Sequence, residues 1–140
     1  MTPLTSVPAA HGWLVAATAL HAGFQVTVTV LVYPALLRVR DSDWSTAHAT
    51  HSRAITPLVA VVYGGALAAC VLALLSRPDL WVWLAATATV LVFAATGLVA
   101  APTHGRLAAG RTDALVRRLL LADRCRLVGA LLALAAALLA

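Results

Sequence analysis

ITPLVAVVYGGALAACVLALL (Ile55–Leu75), SRPD (Ser76–Asp79) and LWVWLAATATVLVFAATGLVAA (Leu80–Ala101) decide the fold. Each apolar run has the roughly 20 residues a helix needs to cross a hydrocarbon core. Four residues between them allow only a tight antiparallel hairpin, with Pro78 opening the second helix. Nothing alternates with a period of two, and alanine dominates, so strands are excluded. Outward from this hairpin lie two further apolar segments, about Trp13–Leu37 and Leu115–Ala140, the last with a charged first half. The expected fold is all-α: one integral membrane four-helix bundle over residues 1–140, with spans near 13–37, 55–75, 80–101 and 115–140.

Composition agrees. The 140 residues are 62% hydrophobic and 11% charged, against about 45–50% and about 25% in soluble domains. The basic residues are ten arginines and the acidic ones five aspartates, a narrow usage that reflects coding bias. A net charge of +5 would suit nucleic acid, but most arginines flank apolar segments. Anchoring to membrane lipid accounts for them, and no nucleic-acid partner is expected. Cys70 and Cys125 form no CxxC spacing, which argues against a disulfide framework and a thiolate metal site. No basic region precedes the first apolar stretch, so it reads as a retained transmembrane helix and not a cleaved signal.

Arg38, Arg40, Arg53, Arg106, Arg111, Arg117 and Arg118 fall in the first and third connections, while the opposite face has Arg77 alone. Counted by the positive-inside rule, those connections are cytoplasmic and both termini lie outside, in the plasma membrane. Asp43 or Ser42 is the expected N-cap of a helix entering the second span, and Thr112 that of the last helix.

This orientation gathers histidines on one face. His48 and His51 are three residues apart and share a helix face, with Trp44 one turn earlier on the same side. His104 follows Pro102 and Thr103 at the end of the third span, where the chain is expected to turn at Gly105. Asp123 lies 17 residues before Ala140, about 25 Å along a helix, which reaches the same layer. His48, His51, His104 and Asp123 are therefore candidate ligands for a transition metal (copper, iron or manganese, with zinc an alternative). Asp123 and Arg126 are the candidate catalytic residues: Asp123 either ligates the metal or pairs with Arg126, whose guanidinium would bind an anionic substrate group. His21, Gln25, Tyr33 and Trp44 are the candidate substrate-pocket residues. His21 is deeper, and haem is the alternative cofactor it would suit. His11 is expected at the outer surface, and Gly64, Gly65 and Gly97 at close helix contacts.

GFQVTVTVLVYPAL (Gly23–Leu36), HSRAITPLVAVVYGGALAA (His51–Ala69), PTHGRL (Pro102–Leu107) and ADRCR (Ala122–Arg126), in that order, resemble the small anthrone-oxygenase-like membrane proteins. That family of four-helix proteins includes enzymes oxidising anthrones to anthraquinones. It commonly has a Pro-x-Asn-x-x-Leu pattern after the third span and a polar Trp/Asn/Arg cluster opening the fourth. Pro102, Leu107 and Arg126 match. His104 stands where asparagine is usual, His51 at an asparagine-like position, and Asp123 and Cys125 in place of tryptophan and asparagine. The resemblance implies oxidation of a hydrophobic small molecule, in a histidine-enriched version.

Four readings follow: a metal-dependent membrane oxidase or monooxygenase; cofactor-free oxygenation with histidine as base on an acidic phenol; a haem- or quinone-linked redox protein; and a non-enzymatic subunit or small transporter, which would need to form a homo-oligomer.

Overall fold

The computed structural model describes residues 7–76 and 78–140. Arg77, on which the charge count for one face rests, lies outside the described residues. The chain runs α1 (Val7–Thr27), a π-helical turn (Val28–Val32), α2 (Tyr33–Leu37), a 3-10 turn (Asp41–Asp43), α3 (Trp44–Ser76), α4 (Leu80–Ala95), a second π-helical turn (Thr96–Ala100), α5 (Ala101–Ala109) and α6 (Asp113–Leu139). Among the described residues there is no strand. The π turns join α1 to α2 and α4 to α5 without a break, so the chain forms four rods. Three stretches, Ala9–Leu37, Asp41–Ser76 and Leu80–Ala109, are long and apolar enough to cross a membrane. The fourth rod, α6, carries Arg117, Arg118, Asp123, Arg124 and Arg126 in its first half.

The helices outrun the apolar segments. α3 starts at Trp44, well ahead of Ile55, so His48 and His51 sit on the same helix as the apolar run. The turn expected at Gly105 is absent: the helix continues through Pro102 and Gly105 and stops at Gly110. Pro102 falls in the first turn of α5, where its missing N–H costs little. Pro78 precedes α4 and does not open it; Asp79 is the cap, its Oδ1 accepting from the Val82 amide at 2.8 Å. Asp43 does not cap α3, because its carboxylate is taken by Arg40 at 2.8 Å and by the Ser42 hydroxyl. Thr112 caps α6 as expected, accepting from the Leu115 amide.

The rods form a ring in which α1 packs against α3 and α6, and α4 against α6 and α3. Small side chains set the closest approach. A Cβ at Gly129 on α6 would stand 2.5 Å from Val92 Cγ2 on α4, so only glycine fits without movement. Gly64, Gly65 and Gly97 face open space instead, and the packing role expected of them belongs to Gly129 and to the buried alanines Ala130, Ala133 and Ala137. One core cluster, around Leu14, Cys70, Val82 and Ala137, fills the end where α3 turns into α4. A second, around Val28, Tyr33, Trp44, Leu107 and Leu119, fills the other end. Leu58, Val61, Leu91, Leu98 and Leu132 face outward, as on helices apolar all round.

Candidate functional site

The polar residues converge beside the second cluster, and two matching backbone irregularities put them there. In the first rod the Tyr33 amide reaches back five residues to the Val28 carbonyl; in the third, the Ala101 amide reaches back five to Thr96. Two residues after each wide turn stands a proline, Pro34 and Pro102, which has no N–H to give to the preceding turn. A π turn inserts one extra residue and shifts every later side chain around the helix axis. Tyr33 and His104 lie just past these insertions and face each other across the bundle.

They belong to one hydrogen-bonded chain. Arg126 Nη2 donates to the Tyr33 hydroxyl at 3.0 Å and to Asp123 Oδ1 at 3.1 Å. The Tyr33 hydroxyl lies 3.2 Å from His104 Nε2, and His104 Nδ1 lies 3.2 Å from His48 Nε2. A guanidinium offers only donors. Tyr33 therefore accepts from Arg126. The directions of the Tyr33–His104 and His104–His48 bonds are set by the tautomers of the two histidines.

Gln25 completes the buried end, its Nε2 donating to Asp123 Oδ1 at 2.7 Å, while Thr29 donates to the Gln25 backbone carbonyl. The Asp123 and Arg126 side chains are only 2% and 7% exposed. Desolvation offsets most of such a pair's attraction, and removing one partner strands the other charge. At the far end Trp44 lies beside His48, ring centroids 5.2 Å apart, and its Nε1 donates to the Leu107 carbonyl at 3.0 Å. The Arg111 guanidinium stacks over Trp44 and donates to the carbonyls of Leu37 and Val39, which ties down the first connection.

A cavity of about 320 Å³ opens next to this chain. Its apolar walls are Phe24, Val28, Ile55 and Val59; Gln25, Tyr33, His51, His104 and Arg126 supply the polar side. The His51 ring stands 6.1 Å from that of His104 and 6.5 Å from that of Tyr33. Unlike His48 and His104, it makes no hydrogen bond among the described residues.

The three histidines expected to cluster do so. Asp123 does not stand among them: it is separated by Arg126 and Tyr33 and held by Gln25 and Arg126. Both nitrogens of His104 are engaged, one by Tyr33 and one by His48. Among the described residues no three His, Cys, Asp or Glu side chains stand where one metal ion could be held.

Of the four residues expected in a substrate pocket, Gln25 and Tyr33 line the cavity and Trp44 supports His48 from behind. His21 does not reach it. Its ring is fully buried, set edge-on to Tyr63 at 4.8 Å and to Phe93 at 6.0 Å, with neither nitrogen hydrogen-bonded. Tyr63 and Phe93 stack at 4.5 Å, and Tyr63 bonds to Thr96, a cavity-lining residue. His11 bonds to the Ala137 carbonyl at 2.9 Å.

Ser52, Thr56 and Thr96 also line the cavity and were not singled out in the sequence. The signal was present in the spacing of His51, Ile55 and Val59 and of Ser52 and Thr56, which run down one helix face. Compared with known proteins, the chain matches no family model, no curated protein and no solved structure.

Proposed function

We propose that this chain is a four-span membrane enzyme that oxidises a weakly acidic, hydrophobic small molecule of the anthrone type, using dioxygen and no bound cofactor. The three span-length apolar stretches and the outward-facing leucines and valines support the membrane placement, and the arginine-rich connections favour a cytoplasmic position for the cavity.

One observation carries the chemistry. His104 is consumed in the chain from Arg126 to His48, whereas His51 faces the cavity with its ring free. His51 is the base that takes a proton from an activated CH2 group, and Arg126 stabilises the enolate oxygen that forms. The carbanion passes electrons to dioxygen and forms a C–O bond. The protonated His51 returns its proton to the resulting peroxide. Loss of the second C–H proton with O–O cleavage gives the ketone and water, so that CH2 and O2 become C=O and H2O. The Tyr33–His104–His48 chain holds Arg126 and the cavity wall in place throughout.

The test is anthrone oxidation by the purified chain, followed by anthraquinone absorbance, with a metal chelator present throughout. Turnover is expected to survive chelation and to fall by about 100-fold or more in His51→Ala. Turnover lost on chelation, with stoichiometric metal missing from His48→Ala and His104→Ala, would replace this reading with a metal-dependent oxidase. Full turnover in His51→Ala would remove the assigned base.

A further inference from the structure

Away from the cavity, two exposed arginines, Arg106 and Arg118, stand where the third rod meets α6. Their directions follow from the helices that carry them. On α5, His104 turns to His48 on α3, and Thr103 and Leu107 are buried. Arg106, two residues after His104, points about 200° around the same helix, away from α3. α5 packs on α3 and α6, so that side is the α6 side. On α6, Gly129 meets Val92 of α4, and Arg118 lies about three turns before it, in nearly the same direction. Arg118 is therefore on the edge of α6 turned to the third rod. Arg106 precedes the end of α5 at Ala109 by three residues, and Arg118 follows the start of α6 at Asp113 by five. In antiparallel rods this puts the two within about 3 Å of the same level. They flank one groove.

No carboxylate neutralises this pair. Asp41 and Asp43 are taken by Arg111 and Arg40, and Asp79 caps α4 at the opposite end of the bundle. Asp123 is buried against Gln25 and Arg126, and Asp113 lies about 140° around α6 from Arg118. Beneath the arginines the surface is apolar. Arg118, Leu121, Cys125, Val128 and Leu132 are all exposed and follow one another at spacings of three and four, so they form one stripe about 21 Å long. Its head is cationic, and Leu121, Val128 and Leu132 below are 65%, 56% and 59% exposed. A soluble anion would use the head of this stripe and leave the leucines idle. A second copy in a two-fold contact would set arginine against arginine.

We propose that the α5–α6 groove holds one anionic phospholipid, its phosphate gripped between Arg106 and Arg118 and an acyl chain laid along Leu121, Cys125, Val128 and Leu132. Each guanidinium offers paired N–H donors that match phosphate oxygens. This rests on the membrane placement of the reading above, and not on the cavity or its chemistry.

Native mass spectrometry of the full chain in mild detergent tests it, with phosphatidylglycerol and phosphatidylcholine of identical acyl chains as probes. The wild-type chain should hold one phosphatidylglycerol about 10-fold or more tighter than phosphatidylcholine, through charge-assisted bonds. Arg106→Gln with Arg118→Gln should erase that preference. Arg38→Gln with Arg53→Gln removes the same charge outside the groove and should leave it within about 2-fold of wild type. Equal affinity for the two lipids, or equal loss in both double variants, would overturn the site and leave only a general attraction to charged lipid. Displacement of phosphatidylglycerol by millimolar inorganic phosphate would overturn the role of the acyl chain. A dimer lost in Arg106→Gln with Arg118→Gln and unaffected by lipid would give the groove to a second copy instead. If circular dichroism shows the double variant misfolded, the two single variants take its place, each expected to weaken phosphatidylglycerol by about 3-fold or more. Release of the chain from vesicles by alkaline carbonate would reject the membrane placement itself, whereas an inserted chain without lipid preference rejects the site alone.

Discussion

The Tyr33 hydroxyl and His104 Nε2, 71 residues apart in the chain, meet at 3.2 Å. Each side chain follows a π turn, so the contact exists because two rods carry the same one-residue insertion at the level of the cavity. The Arg126 guanidinium donates to the same hydroxyl.

Tyr33→Phe removes the middle of the chain and leaves the ring in place. Anthrone turnover should fall by about 10- to 100-fold, with circular dichroism unchanged. The ratio of Nδ1–H to Nε2–H forms of His104 should change, which 15N NMR of labelled histidine reads directly.

Deleting Val30 removes the residue that the first π turn absorbs, so the rod should become α-helical there with its two halves still in register. Tyr33 should keep facing His104, and turnover and thermal stability should stay close to wild type. Deleting Leu20, in the α-helical part of the same rod, should instead rotate the two halves by about 100° relative to each other and abolish turnover.

Asp123→Leu strands a buried guanidinium, and unfolding should become about 3–5 kcal/mol easier. The double change Asp123→Leu with Arg126→Leu should recover most of that loss, because the uncompensated charge is gone, but it should not recover turnover. Thermal unfolding in detergent, run beside the anthrone assay, separates the two effects.

Gly129→Leu forces a side chain into the space held by Val92. Overpacking of this kind costs about 1–3 kcal/mol. Gly97→Leu, at an open position, should cost much less. The comparison is a melting temperature for each variant.

The sequence by itself determined the helical architecture. Apolar runs of span length, a four-residue hairpin and arginines gathered mostly in two connections are local facts, and helix formation depends mainly on neighbours along the chain. It also determined that His48, His51 and His104 lie at one end, since antiparallel rods of known length leave little choice of depth. The continuation of the third rod past Gly105 was less legible, because glycine and proline punctuate a helix in one setting and are accommodated in another.

Only the tertiary structure decided what those residues do with one another. No count along the chain reveals a π turn, whose single extra residue settles whether Tyr33 and His104 face each other or face away. Nor does spacing show that Asp123 is spent on Gln25 and Arg126, that both nitrogens of His104 are occupied, or that His21 is sealed behind Tyr63 and Phe93. Metal ligation, ion pairing and hydrogen bonding draw on the same residue types within the same few ångströms. Which one prevails is set by the direction of each lone pair and N–H, and those directions are fixed only when the four rods pack.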